Sequence, residues 1–175
     1  MLDEFRSAFH RYNNAPVQLI IINLTIYIFL GVLRVVLKVS GFEEAFITLH
    51  NQFSIPALFT EFLSRPWTMI TYMFTHDLQG ILHILFNMLV LYWFGRLFVE
   101  YLGSDKLIAL YILGGLAGAL TYLLAYNTIP YYVTQSQNYR IELVGASAAV
   151  DAIVVATAVL LPNYTFFLLF FGPLK

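Results

Sequence analysis

No cysteine occurs in the 175 residues, which excludes disulfides and thiolate chemistry and leaves the redox compartment open. Charge is also scarce. Asp, Glu, Lys and Arg make up 11% of the chain, against about 25% in soluble domains. The net charge is −1, with no basic patch or stripe, so nucleic acid is excluded as a partner. There are four histidines, and none follows His83. They form no grouping with metal-ligand spacing, so neither a metal nor a cofactor is expected. The polar start, with charges of both signs before a run long enough to span, does not read as a cleavable signal peptide. Repeats, low-complexity tracts and a soluble domain are all missing.

What remains is apolar. Hydrophobic residues reach 60% and aromatics 17%, with a mean hydropathy of +0.76. The pattern predicts an all-α polytopic membrane protein forming one domain over 1–175. A spanning helix needs about 20 mostly apolar residues. Four complete spans are expected, at roughly 17–37, 81–101, 106–126 and 143–161. Pro16 suits the first turn of the first span, and Arg34 and Lys38 can snorkel at its far end. Residues 39–80 are too broken by charge and proline to span. Phe46, Phe53, Phe59 and Phe62 instead suit short helices lying at the membrane surface, anchored by Trp67 and Tyr72. A soluble, unordered loop is the plainer alternative. Gly103-Ser104-Asp105 reads as a tight turn, and a polar, tyrosine-rich loop should fill the stretch before Glu142. The third span carries Gly114 and Gly118 at the spacing that allows helices to pack closely. After Pro162, an apolar stub at 164–171 is too short to span, and the chain reads as though further spans should follow.

Polar residues inside spans are costly and usually pair or do work. With four spans, the second and fourth run in the same direction. His83 and Asn87, near the start of the second, then share one membrane face with Ser147, near the start of the fourth. Their spacing puts His83 and Asn87 on one side of their helix. Asn87 lies about 10 Å below the start of its span at 1.5 Å per residue. Arg6, Arg11 and Lys106 slightly favour a cytoplasmic N-terminus, which puts Ser147 near the outer face of a cell inner or plasma membrane.

Each polar group has a plain reading and a chemical one. Ser147, in Gly145-Ala146-Ser147-Ala148, is either a small helix-packing residue or a nucleophile. The small neighbours would let a substrate backbone approach. His83 and Asn87 are either a packing pair or donors to an oxyanion. Arg96 and Glu100, four residues apart, read as a structural pair. Asp151 lies one turn after Ser147 inside an apolar run and should face water or a partner. His76-Asp77 reads as solvated loop, or as the lip of a cavity.

Together these residues resemble the rhomboid family of intramembrane serine proteases, over about 65–161. The resemblance rests on His83-Ile-Leu-Phe-Asn87-Met, then Trp93-Phe94-Gly95, Glu100 and Gly103, the glycines of the third span, and Gly145-Ala146-Ser147-Ala148. It implies a rhomboid-like helical bundle in which 39–80 is the membrane-lying first loop. It implies an endopeptidase that cuts transmembrane segments of membrane proteins within the lipid bilayer. Ser147 would be the nucleophile. His83 and Asn87, with the Ser147 backbone N–H, would stabilise the oxyanion.

Three positions depart from the family pattern. Ala148 stands where the motif has a second glycine. Thr68 follows Trp67 where arginine is usual, and Arg65 precedes it. The general-base histidine of the family lies on a later span, and no histidine here follows His83. The chain is therefore expected to be a C-terminally truncated rhomboid, lacking the last two spans and inactive alone. A non-catalytic, client-binding rhomboid-like protein is the alternative. A transporter or channel fits less well, because the polar residues gather at one end of the spans instead of crossing them.

Overall fold

A computed structural model describes residues 13–163, and the backbone alone of 166–168 and 172–174. The first span is helix α1, Ala15–Val39, with Pro16 in its opening turn. Between it and the next span lie helix α2 (Glu43–His50), strand β1 (Ile55–Pro56), the single turns α3 (Phe59–Phe62) and α4 (Thr68–Thr71), and a 3-10 turn at Tyr72–Phe74. Helix α5 (Ile81–Leu102) and helix α6 (Ser104–Thr128) follow. They meet at Gly103 alone, whose φ of +85° allows the reversal while its N–H caps the Val99 carbonyl. Ser104 and Asp105, expected in the turn, open α6 instead, which sets the Asp105 carboxylate against the positive helix end.

The first three spans match their expected ranges to within about two residues, the usual uncertainty of a helix end. Each is long and apolar enough to cross a membrane. Two stretches differ. The tyrosine-rich loop contains helix α7, Pro130–Asn138, which proline starts at its first position. The fourth apolar helix, α8, covers only Ser147–Leu160, 14 residues in place of the expected 143–161. At 1.5 Å per residue it rises about 21 Å, short of the roughly 30 Å of hydrocarbon. Its start is delayed because Glu142–Leu143 forms strand β2, paired antiparallel with β1 (Ile55↔Leu143, Pro56↔Glu142). Gly145 then turns the chain at φ +115°. Pro162 ends the helix, since the residue before a proline is biased away from helical geometry. The apolar stub falls largely outside the described residues. Within it β3 (Phe166–Leu168) pairs antiparallel with β4 (Gly172–Leu174), which lies just beyond it.

The core lies where α5, α6 and α8 meet, around the fully buried Leu91, Tyr111, Ala119, Ala149 and Ile153. Close approach of α6 and α8 depends on glycine. A β-carbon at Gly114 would sit 2.4 Å from that of Ala152, and one at Gly118 would sit 2.3 Å from that of Ala148. The small-residue spacing thus serves this one crossing. On the outside, Ile28, Phe29, Val32, Val35 and Val36 of α1 are each more than half exposed. Such a row suits lipid, where exposed apolar surface carries no hydration penalty.

Candidate functional site at the start of the fourth apolar helix

The segment between α2 and α5 is held by hydrogen bonds and is not an unordered loop. Arg65 is buried and donates through Nη1 to the Asn51 carbonyl. Its guanidinium also lies 3.4 Å from Glu61 and 4.0 Å from Glu142. Trp67 Nε1 donates to the Gln52 carbonyl (2.8 Å) and Thr71 Oγ1 to that of Phe53 (3.0 Å). Three side chains from one stretch therefore close three consecutive carbonyls, Asn51 to Phe53, where the backbone leaves α2. Arginine pairs with this backbone from two positions before Trp67. Asn127 of α6 fastens the middle of the segment, donating to Ala57 O and accepting from Phe59 N–H.

Tyrosine hydroxyls fasten the end of the segment. Tyr72, expected at the membrane boundary, is instead 1% exposed, and its hydroxyl donates to the Gly115 carbonyl at 2.6 Å. That burial pushes the phenol up to about 12. The Tyr111 hydroxyl donates to the Met73 carbonyl (2.9 Å) and accepts from Asn23 Nδ2 (3.2 Å). The 72–73 backbone is thereby fixed to α6, and through it to α1.

That fixed backbone holds the turn that precedes α8. Gly145 N–H donates to the Tyr72 carbonyl at 3.0 Å. Ala146 N–H donates to Nε2 of His76 at 3.3 Å. Ser147 is then the first residue of α8, half-buried. The first N–H groups of a helix lack internal partners and carry partial positive charge, so this end can receive developing negative charge.

The parity argument puts His83 and Ser147 at one end of the bundle, and the structure brings His83 to the Ser147 turn. A β-carbon at Gly145 would lie 3.0 Å from His83 Cε1 and 3.4 Å from Nε2. Glycine is needed there twice, for its φ and for this contact. The His83 residue is otherwise exposed. Asn87, one turn deeper on the same side of α5, is buried, and its Nδ2 has no hydrogen-bond partner among the described residues. A buried amide donor left open costs about 1–3 kcal/mol, so it is conspicuous in a core where most polar groups are paired.

His76 and Arg96 sit otherwise than expected. His76 is buried, 1% exposed, and is not solvated loop. Its ring meets that of His83 edge-on at 5.9 Å. Burial first, and then the neighbouring His83, bring its pKa down from 6.5 to about 4, against an upward pull from the Phe74 backbone. Arg96 turns back to Tyr92, donating to its hydroxyl at 2.8 Å and lying over its ring, and makes no ion pair with Glu100 among the described residues. A tyrosine one turn nearer the N-terminus offers both a hydrogen bond and a π face. Asp151 is exposed on α8, one turn past Ser147, as its charge requires. A cleft of about 220 Å³ lies elsewhere, between Arg34, Glu43, His50 and Asp77.

Comparison with known proteins gives the family. The rhomboid domain family matches residues 63–173, more than half of the chain. RHOMBOID-like protein 12, mitochondrial, of Arabidopsis thaliana is 35% identical over 115 residues, which is 62% of this chain and 34% of that protein. The chain thus spans about a third of the length of this relative. No solved structure gives a significant match. With three membrane-length apolar helices and a family match that runs from the fastened loop past the Ser147 turn, this integral membrane protein belongs to the rhomboid family.

Proposed function

We propose that the chain carries the nucleophile and oxyanion donors of an intramembrane serine endopeptidase, acting on transmembrane segments of other membrane proteins. Ser147 Oγ attacks the scissile carbonyl carbon, and the carbonyl oxygen takes up the charge. Asn87 Nδ2, His83 and the Ser147 backbone N–H are the donors that receive it, worth about 3 kcal/mol each where such donors have been removed from other serine enzymes. The observation that carries this reading is the buried, unpartnered Asn87 amide, on the same side of α5 as the histidine that touches Gly145. The Ser147 proton must pass to a base. His76 Nε2 is already occupied by Ala146 N–H, and no histidine follows His83 in these residues. The 175-residue polypeptide alone is accordingly proposed to be inefficient in turnover. The segment between α1 and α5 lies along the membrane surface, with a cytoplasmic N-terminus and Ser147 near the opposite face.

The test is a fluorophosphonate probe and a single-span fluorescent substrate, both applied to the protein in nanodiscs. Slow labelling that disappears in Ser147→Ala, with little or no cleavage, supports the reading. Rapid cleavage that survives Ser147→Ala overturns the nucleophile. Substrate binding without any labelling points to the client-binding alternative.

A further inference from the structure

His76 accepts a hydrogen bond from the residue immediately before Ser147 (3.3 Å), although it lies 70 positions earlier in the chain. The same short segment gives the Tyr72 carbonyl to Gly145 N–H (3.0 Å). Two consecutive N–H groups of the turn are therefore closed by residues 72 and 76, and the next N–H in line is that of Ser147. To accept at Nε2, the His76 ring must be neutral with its proton on Nδ1. The surroundings favour that state. The site is buried, His83 of α5 faces it, and Tyr72 and Tyr111, fixed nearby, are weak acids. Asp77 follows, but its carboxylate accepts from Gln79 N–H (2.9 Å). The one charged residue of α8 is Asp151, which is exposed.

We infer that His76 is a positioning residue, whose neutral imidazole fixes the Gly145–Ser147 turn by accepting the Ala146 N–H and so aims the Ser147 N–H and hydroxyl for the proposed chemistry. Its functional consequence rests on the reading of Ser147 given above; the structural part stands independently. Protonation puts an N–H on Nε2 facing the Ala146 N–H, and the contact becomes donor against donor. The turn then loses its anchor in acid.

The experiment separates the two parts. Glycine labelled at the carbonyl carbon and alanine labelled at nitrogen select only Gly-Ala pairs, here Ala119 and Ala146. The full chain in nanodiscs is titrated from neutral to acid pH by NMR. The Ala146 amide should shift with a midpoint of about 4, while Ala119, fully buried in α6, stays still. In His76→Phe the Ala146 resonance should lose its hydrogen-bonded position. In His76→Gln, which keeps an acceptor, it should stay near its wild-type position and no longer titrate. An Ala146 amide that ignores pH, or that is unchanged in His76→Phe, overturns the inference.

Fluorophosphonate labelling of Ser147 is read in parallel. It should slow about tenfold in His76→Phe, equivalent to one lost hydrogen bond, and recover in His76→Gln. Equal labelling of all three overturns the functional part. If even the wild type fails to label, the nucleophile reading fails and the NMR arm alone decides the role of His76.

Discussion

The Ser147 site and the outer face of α1 are built differently. At the end that holds Ser147, backbone groups are closed by side chains from distant elements: Arg65, Trp67, Thr71, Tyr72, His76 and Asn127. Along its outer face, by contrast, α1 presents Val32, Val35, Val36 and Val39, and beyond them Lys38 meets Glu43 at 3.4 Å in an exposed pair. Apolar helix faces need only lipid, and exposed ion pairs contribute about 0–1 kcal/mol. Irregular backbone at a membrane surface needs a partner for every polar group. The costly architecture is spent where the chain leaves helical geometry, which is also where a reacting carbonyl would have to enter.

The comparison breaks most severely at Gly118. A side chain there must displace Ala148, one residue after Ser147, and the clash is with a helix that cannot slide freely. Gly118→Val should cost at least about 3 kcal/mol, at the upper end of overpacking effects, and should separate α6 from α8. Thermal unfolding in nanodiscs measures the loss. A stability within about 1 kcal/mol of wild type would show that the two helices do not cross this closely.

Acid tests the polar end specifically. His76 titrates near 4 in the fold and near 6.5 in the unfolded chain. Between those values the unfolded chain binds more protons, so falling pH favours unfolding. The contribution is complete above pH 6.5, declines as pH falls toward 4, and is constant below that. Its full size is at most about 3 kcal/mol. His76→Gln should flatten this part of the stability profile. An unchanged slope in that variant would move the acid sensitivity to another group.

Much of this division was legible from sequence. Long apolar runs have a length and composition that a bilayer dictates, so 17–37, 81–101 and 106–126 landed on α1, α5 and α6. The i, i+4 spacing also set His83 and Asn87 on one side of α5. Pairings across long separations were not legible. Strands of two residues carry no periodicity, so the β1–β2 pair that postpones α8 to Ser147 left no signal. His76 sits beside Asp77 and four residues before Gly80, a neighbourhood that reads as solvated. Only the fold shows that Asp77 turns to Gln79 while His76 turns inward to Ala146. The clue that was present is a tyrosine and a histidine flanking a short apolar stretch, Tyr72 to His76, too polar for lipid and too apolar for a loop.

A smaller effect is expected at Arg65. Arg65→Gln removes the bond to Asn51 and the contacts with Glu61 and Glu142, and leaves the Asn51 carbonyl without its donor. The loss should be about 2 kcal/mol and local. Hydrogen exchange should rise across 50–64 and leave the first half of α1 unchanged. Uniform acceleration over the whole chain would show that the segment and the bundle unfold as one unit.

The smallest effect is expected at Arg96, an exposed position whose contacts lie within one helix. Its guanidinium donates to the Tyr92 hydroxyl at 2.8 Å and lies 5.4 Å from the ring centroid. Both partners are exposed, so the interaction competes with water or headgroups and should be worth about 0.5 kcal/mol. Arg96→Gln is too short to make the contact and carries no cation, and should lower Tm by about 1–2 °C. Tyr92→Phe should do the same, and the double variant should lose little more than either, because both substitutions remove one contact. Additive losses would mean that Arg96 and Tyr92 each serve other partners. Because Glu100 lies a full turn on and takes no part in the contact, Glu100→Gln should leave all three values in place, whereas a drop equal to that of Arg96→Gln would restore the ion pair that spacing alone suggested.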